Sequence, residues 1–301
     1  MKKVLISGGS GLVGERLTEL LNEQNYEVSH LSRTKSSGKQ QTIVWDVEKM
    51  RLNASEIEEF DHIIHLAGAG IVDEPWTAAR KKVILESRTK SAELLKNAIS
   101  QNQKKPASFV SASAVGYYGF VTSEHVFKET EAPGNDFLAE TCLAWENSVD
   151  AIADLGMPVA KIRIGLVMTA KGGALKEMAK PIKMGFGAAL GSGKQYMPWI
   201  HIDDLCRMFI YAMENKLQGA YNAAAPAKKQ VTNANFTKVL AKVLKKPLWL
   251  PNAPAFVMKM VLGSRALLVL EGSRIDSSKI QEAGFELKFT ELGEALSAIY
   301  N

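Results

Sequence analysis

Met1-Lys-Lys-Val-Leu-Ile-Ser-Gly-Gly-Ser-Gly-Leu-Val-Gly14 opens the chain and decides how the rest of it reads. An apolar run, Val4 to Ile6, enters a turn carrying Gly8, Gly9 and Gly11. A helix-like segment follows from Leu12, with Gly14 in its first turn. Glycines at these places let the backbone turn tightly, come close to a pyrophosphate and pack helix against strand. The helix N-terminus then offers free N–H groups and its positive dipole end to negative charge. The same spacing occurs in βα turns without a ligand. Here it follows a strand pattern and opens a helix, the context in which it points to a dinucleotide. Gly8, Gly9, Ser10, Gly11, Leu12 and Val13 are the expected pyrophosphate-binding residues.

Outward from this turn, strand-like and helix-like segments alternate, which predicts a parallel sheet covered on both faces. The expected strands are Lys3–Ser7, Glu27–Ser32, Thr42–Asp46, His62–Ala67, Ala107–Ser111 and Val159–Gly165. Between them lie helical patterns at Glu15–Gln24, Thr77–Gln101 and Phe137–Leu155. Beyond Leu166 the pattern loosens into Gly-rich loops (Gly172–Gly173, Gly185–Gly193), then a helix at Asp203–Glu214. A Leu/Met-rich helical segment at Pro254–Leu270 and a short unit at Ser278–Asn301 complete the chain. The fold class is α/β: a Rossmann doubly wound parallel sheet with a smaller, mostly helical C-terminal substrate lobe.

With 301 residues, 46% hydrophobic and 23% charged, the chain has the composition of a globular enzyme. Its net charge of +5 is modest, and no basic cluster interleaved with aromatics suggests a nucleic-acid surface. No apolar stretch approaches the ~20 residues that span a bilayer. Cys142 and Cys206 form no paired framework, and no signal peptide precedes the first strand. A reducing, cytoplasmic setting is expected. His62 and His65 are three apart on a strand and face opposite sides, so no metal is expected.

The second strand should end beside the adenosine ribose. An acid there suits NAD, whereas a nearby Arg accommodates the 2′-phosphate of NADP. The chain reads Ser32-Arg33-Thr34-Lys35, which favours NADP over NAD, a solvated basic loop being the alternative. Asp46 can accept from the adenine amino group or cap its own strand end. Leu66, Ala67 and Gly68 allow close backbone approach to the cofactor.

The pattern Gly8-x-x-Gly11-x-x-Gly14 with His65-Leu66-Ala67-Gly68 resembles the extended short-chain dehydrogenase/reductases, the NAD-dependent epimerase/dehydratase superfamily. Ser111-Ala-Ser113-Ala-Val-Gly-Tyr-Tyr118-Gly119, Arg163-Ile-Gly165 and Trp199-Ile-His201-Ile-Asp203-Asp204 extend the match. Trp76 with Ser87-Arg88, Asp136-Phe-Leu-Ala139 with Trp145-Glu146, Leu190-Gly-Ser-Gly-Lys-Gln195 and Glu282-Ala-Gly-Phe285 are similar to its "epimerase family protein" (YfcH-like) branch, which carries a DUF1731-type extension. The resemblance implies a domain over residues 1–221, with 166–200 contributing to the substrate lobe. Residues 222–301 would then close over the cleft. It also implies a homodimer through Thr77–Gln101 and Phe137–Leu155, and Arg163 on the cofactor side.

Members of this superfamily use a Ser and a Tyr-x-x-x-Lys pair, one helical turn apart. No tyrosine here has a Lys at the fourth following position. The spacing after Ser113 puts Phe137 or Leu138 at the tyrosine site and Thr141 or Cys142 at the lysine site. The remaining catalytic candidates are Ser113, Tyr117 and Tyr118, a phenol acting as substitute acid with its pKa lowered by a neighbouring cation, or both phenols simply walling the pocket. Glu140 and Glu146 read as surface or cap residues. Asp203 or Asp204, beside His201, reads as the N-cap of the following helix, with acid–base work as the alternative. The loop Gly185–Trp199 and the Pro254–Leu270 helix should form a lid. Lys194, Trp199 and His201 are its substrate-binding candidates, with Gln195 and Arg265 beside them. The leading reading is an NADP-dependent oxidoreductase or epimerase acting on a small molecule. Its rivals are a non-catalytic NADP sensor and a scaffold.

Overall fold

A computed structural model describes residues 1–35 and 40–300. In chain order the strands are β1 (Lys3–Ser7), β2 (Glu27–Ser32), β3 (Gln41–Val44), β4 (His62–His65), β5 (Ser108–Ala114), β6 (Val126–Phe127), β7 (Val159–Ile164), β8 (Leu166–Met168), β9 (Tyr196–Met197), β10 (Trp199–His201), β11 (Gly219–Ala223), β12 (Val231–Thr232) and β13 (Arg274–Ile275). The helices are α1 (Leu12–Glu23), α2 (Ala78–Gln101), α3 (Phe137–Ala153), α4 (Gly173–Lys183), α5 (Ile202–Glu214), α6 (Asn233–Val243), α7 (Ala255–Leu262), α8 (Leu267–Leu270), α9 (Ser278–Glu282) and α10 (Leu292–Tyr300).

Seven strands form one sheet in the order β11-β7-β5-β4-β1-β2-β3, every pair parallel. Strand alternation assigns the two faces. Ser108 of β5 donates to the carbonyl of Met213 in α5, whereas Ser113 of the same strand reaches Glu146 in α3. Helices α1 and α5 therefore pack on one face and α2 and α3 on the other. The central strands carry apolar runs (Val4, Leu5, Ile6, Ile63, Ile64, Phe109, Val110) between buried polar ends, because both faces are covered.

A second core lies beyond the sheet's edge. Met168, Leu175, Trp199, Phe236, Leu240 and Leu296 pack together there, so β8, α4 and β10 share an interior with α6 and α10. The segment β13 pairs with β6 and ties the end of the chain back to the loop after β5.

Four local expectations change. Strand β11 completes the sheet although its Gly219-Ala-Tyr-Asn-Ala223 run has little strand signal, and the expected domain boundary after residue 221 falls inside it. Helix α4 occupies a stretch read as loop; its buried Leu175, Ala179 and Ile182 keep helical spacing despite Gly172, Gly173 and Pro181. The expected Pro254–Leu270 helix is interrupted, since Gly263 takes φ +58° and ends α7. The third strand stops at Val44, two residues early, because Asp46 bridges Arg51 in a tight turn.

Candidate functional site

Strand β1 lies between β2 and β4, so successive crossovers leave it in opposite directions and open a crevice at its C-terminal end. The glycine turn stands there. Gly8 has φ +74°, and a Cβ on it would lie 3.0 Å from Leu66 C and Ala67 N, so the turn presses against the exit of β4. A Cβ on Gly9 would sit 2.4 Å from the His30 ring; one on Gly14 would sit 2.4 Å from Gly8 O. Gly11 N donates to Gly8 O, and the first helical bond runs from Glu15 N to Gly11 O. No side chain caps α1, which leaves the amides of its first turn for an anion. Ser10 is exposed, and Leu12 and Val13 are half-buried beside it.

At the end of β2, Ser32 is half-buried and Arg33, Thr34 and Lys35 are exposed. Arg33 makes no ion pair among the described residues. Asp46 is half-buried, and its Oδ1 accepts from Lys49 N at 3.0 Å, so one oxygen caps its own turn. Leu66, Ala67 and Gly68 follow β4; Leu66 N and Ala67 N donate to Ser7 O and Ser7 Oγ. Gly68 lies against the guanidinium of Arg88. His62 turns towards Ser108 and His65 towards Ser91 on α2, on opposite faces of the sheet.

The catalytic candidates gather around a buried ion pair that the sequence did not reveal. Arg163 Nε and Nη2 meet Glu146 Oε1 and Oε2 at 2.8 and 2.9 Å. Glu146 is thus an interior residue of α3, not a surface one, while Glu140 is exposed. The signal available was register: Glu146 lies four residues after Cys142 and one after Trp145, both on the apolar face of α3. Ser113 is buried and donates to Glu146 Oε1 at 2.6 Å. Tyr118 donates to Asn222 Oδ1 at 2.8 Å and accepts from Arg163 Nη1 at 3.0 Å. Burial outweighs the Arg163 cation there, and its pKa is pushed up to about 12 rather than lowered as expected. Tyr117 lies under the guanidinium, ring centroid 3.5 Å from Arg163 Cζ, and its hydroxyl has no protein partner among the described residues. Arg163 is 3% exposed and points into α3, so its expected cofactor contact is corrected to a structural one.

Leu138 and Cys142 lie one helical turn apart on α3 and face Gly116, the positions expected for the missing pair. Burial pushes the Cys142 thiol up to about 12, which leaves it protonated and inert.

The substrate-side expectations divide. Lys194 is exposed. Gln195 joins the two expected lid segments, donating through Nε2 to Leu190 O and Val269 O. Arg265 reaches Val72 O. Trp199 is fully buried in the second core, which withdraws it from ligand contact. His201 is also buried: its Nδ1 accepts from Asp203 N and caps α5, and its ring lies tilted against Phe289, centroids 4.0 Å apart. His201 is therefore the N-cap expected of Asp203 or Asp204. Asp203 instead pairs with Arg16 at 2.7 Å, and Asp204 accepts from Lys288 N and Phe289 N.

Residues 4–224 match the model of the NAD dependent epimerase/dehydratase family, and residues 253–299 match a domain of unknown function, DUF1731. The epimerase family protein SDR39U1 of Mus musculus is 33% identical over 303 residues, 99% of each chain. The epimerase family protein YfhF of Bacillus subtilis is 34% identical over 301 residues, 98% of this chain and 97% of its own. The crystal structure of human SDR39U1 (isoform 2) with NADPH aligns at TM-score 0.86 and 30% identity, covering 99% of both chains. Among the described residues no helix is long and apolar enough to cross a membrane.

Proposed function

The chain belongs to the NAD-dependent epimerase/dehydratase family, and on that premise we propose that it is an NADP(H)-dependent oxidoreductase or epimerase-like enzyme acting on a small molecule in the cytoplasm. One observation carries this: Gly9 and Gly14 have no room for a Cβ, while the helix they introduce has no side-chain cap. A turn so constrained and a helix end so exposed suit a pyrophosphate. In this reading the first-turn amides of α1 hold the pyrophosphate, and Arg33 with Ser32 holds the 2′-phosphate. The backbone of Leu66–Gly68 flanks the nicotinamide half. The human relative crystallised with NADPH supports that choice of cofactor. When bound, NADP(H) would supply hydride exchange with a carbinol or carbonyl carbon. Tyr117 supplies the proton at the substrate oxygen, because the hydroxyls of Ser113 and Tyr118 are already engaged. Residues 166–200 and 222–301 form the substrate side, and α2 with α3 provides a homodimer face.

Calorimetric titration with NADPH and NADH tests the reading. NADPH binding at least about tenfold tighter than NADH is expected from a charge-assisted phosphate contact. Failure to bind either dinucleotide overturns it.

A second reading, a non-catalytic NADP(H) sensor, is favoured by the way Ser113 and Tyr118 are locked by Glu146, Arg163 and Asn222. It predicts NADPH binding without NADPH oxidation across a panel of carbonyl and sugar-nucleotide substrates.

A further inference from the structure

Where α2 passes the exit of β4, the Arg88 guanidinium has no carboxylate partner among the described residues, whereas neighbouring Arg80 pairs with Glu74 at 2.9 Å. Arg88 of α2 keeps only part of its surface, and a Cβ on Gly68 would lie 3.0 Å from its Cζ. Its Nη1 donates to the carbonyls of Ala69 (3.1 Å) and Ile84 (2.8 Å). Its Nε and Nη2 have no acceptor among the described residues. Arg88 makes no ion pair among the described residues; the ionisable groups bearing on it are the Arg80 cation and the protonated Cys142 thiol. The Trp145 ring lies 5.1 Å from the guanidinium, and its indole N–H is buried without a partner, as is Nε of Arg80. Next to these donors Trp76 stacks on Phe120 and meets Phe137 edge-on, with Ile71, Leu138 and Leu268 packed around them.

A guanidinium taken out of water without a counter-charge is costly, and burial works against its charged form here. Two carbonyls offset part of that cost. An acceptor-only, negatively charged group would complete the corner, pairing with Arg88 in the fork geometry that favours carboxylates. We propose that Arg88 receives the carboxylate of the substrate, so that this protein acts on small carboxylic acids whose apolar body rests near Trp76, Phe120 and Phe137. This rests on reading the crevice as the reaction site. The cofactor's own diphosphate is the other source of negative oxygen, and the experiment separates the two.

The full-length protein, free and saturated with NADPH, is titrated with phenylacetate and with its neutral analogue benzyl alcohol, following tryptophan fluorescence. The same titrations are run on Arg88→Met and Arg88→Lys. Phenylacetate is expected to bind at least about tenfold tighter than benzyl alcohol. The preference vanishes in Arg88→Met and persists in Arg88→Lys, with NADPH affinity unchanged within about twofold. Equal binding of the two probes by the unsubstituted protein, or a preference that survives in Arg88→Met, overturns the proposal. So does a loss of NADPH affinity in Arg88→Met with phenylacetate binding intact, which assigns Arg88 to the diphosphate. Removing an uncompensated charge leaves the thermal midpoint of Arg88→Met level or higher, whereas a fall of more than about 4 °C marks a structural arginine and overturns the proposal. If the unsubstituted protein binds no NADPH, the cofactor reading fails while the probe comparison on the free protein still decides the role of Arg88.

Discussion

Arg163 and Glu146 form a two-pronged ion pair against the rings of Tyr117 and Tyr118, with side chains 4% and 5% exposed. The pair braces β7 against α3, and Arg163 Nη1 holds the Tyr118 hydroxyl. Burial opposes the charge on Arg163, but the Glu146 hydrogen bonds overcome it and raise the Arg163 pKa. Glu146→Met strands the guanidinium in the interior and should cost about 3 kcal/mol or more of unfolding free energy. Adding Arg163→Met should recover most of that loss, since a well-packed apolar pair often matches a buried ion pair. Urea denaturation at pH 7 reads both. A single-variant loss below about 1 kcal/mol would contradict the brace.

Gly14→Ala forces a Cβ to within 2.4 Å of Gly8 O and 2.7 Å of Gly9 Cα, both backbone, so the turn itself must move. NADPH affinity should fall at least about tenfold, and stability by about 1–3 kcal/mol, as overpacking does. Gly293→Ala in α10 is the control. Its Cβ meets nothing closer than Val239 at 4.0 Å, so it should gain about 0.5–1 kcal/mol and leave cofactor binding unchanged. Calorimetry and urea melts on both variants decide.

The glycine turn at the mouth of the crevice was legible because its signals are local. Glycine spacing, the strand before it and the helix after it all lie within the first fourteen residues. The substrate half was not, because its contacts are distant in sequence. Glu146 reads as a surface acid on residue type, although its helical register places it inside, and only the register of β5 against β7 brings Arg163 opposite Ser113. Trp199 and His201 carry residue types that suit a binding site. Yet α6 and α10 bury Trp199, and the α5 N-terminus takes the His201 imidazole. Strand β11 escaped notice because an edge strand whose one strong strand former is Tyr221, among Gly, Ala and Asn, is held by its pairing with β7 rather than by propensity.

Arg33 is exposed at the end of β2 with no ion pair among the described residues, a cation available to an incoming phosphate. Arg33→Ala should weaken NADPH binding about tenfold or more and change NADH binding by less than about twofold. Calorimetry with both dinucleotides measures the ratio. An equal loss for both would move Arg33 away from the 2′-phosphate and make it part of a general electrostatic attraction.

Tyr117 and Tyr118 sit side by side, ring centroids 5.4 Å apart, yet their hydroxyls differ in engagement. Tyr118→Phe leaves the buried Asn222 and Arg163 groups short of a partner and should cost about 1–3 kcal/mol of stability. Tyr117→Phe removes a hydroxyl without a protein partner, so stability should change by less than about 0.5 kcal/mol. Once a substrate is in hand, Tyr117→Phe should lower kcat about a hundredfold, within the usual range for loss of a general acid. If Tyr118→Phe loses turnover and Tyr117→Phe does not, the proton donor is Tyr118.

His65 is fully buried, with Ser7 Oγ 2.6 Å from Nδ1 and Ser91 Oγ 3.1 Å from Nε2. Burial first, and the Arg88 cation second, push its pKa down to about 3 from the ordinary imidazole value of 6.5. The native ring therefore stays neutral as pH falls through 6.5 while the unfolded chain takes up a proton there. Above that pH the effect on stability is flat. Between 6.5 and about 3 stability declines as pH falls, by about 1.4 kcal/mol per pH unit for one proton. Burial also lowers the pKa of His30, His62 and His201, and each adds to the same slope. His65→Asn deletes one proton from the uptake. Urea unfolding free energies measured from about pH 7.5 to about pH 4.5 should show the gap between the unsubstituted protein and His65→Asn narrowing on acidification. A gap constant with pH would mean that His65 takes up its proton in the folded state as readily as in the unfolded chain.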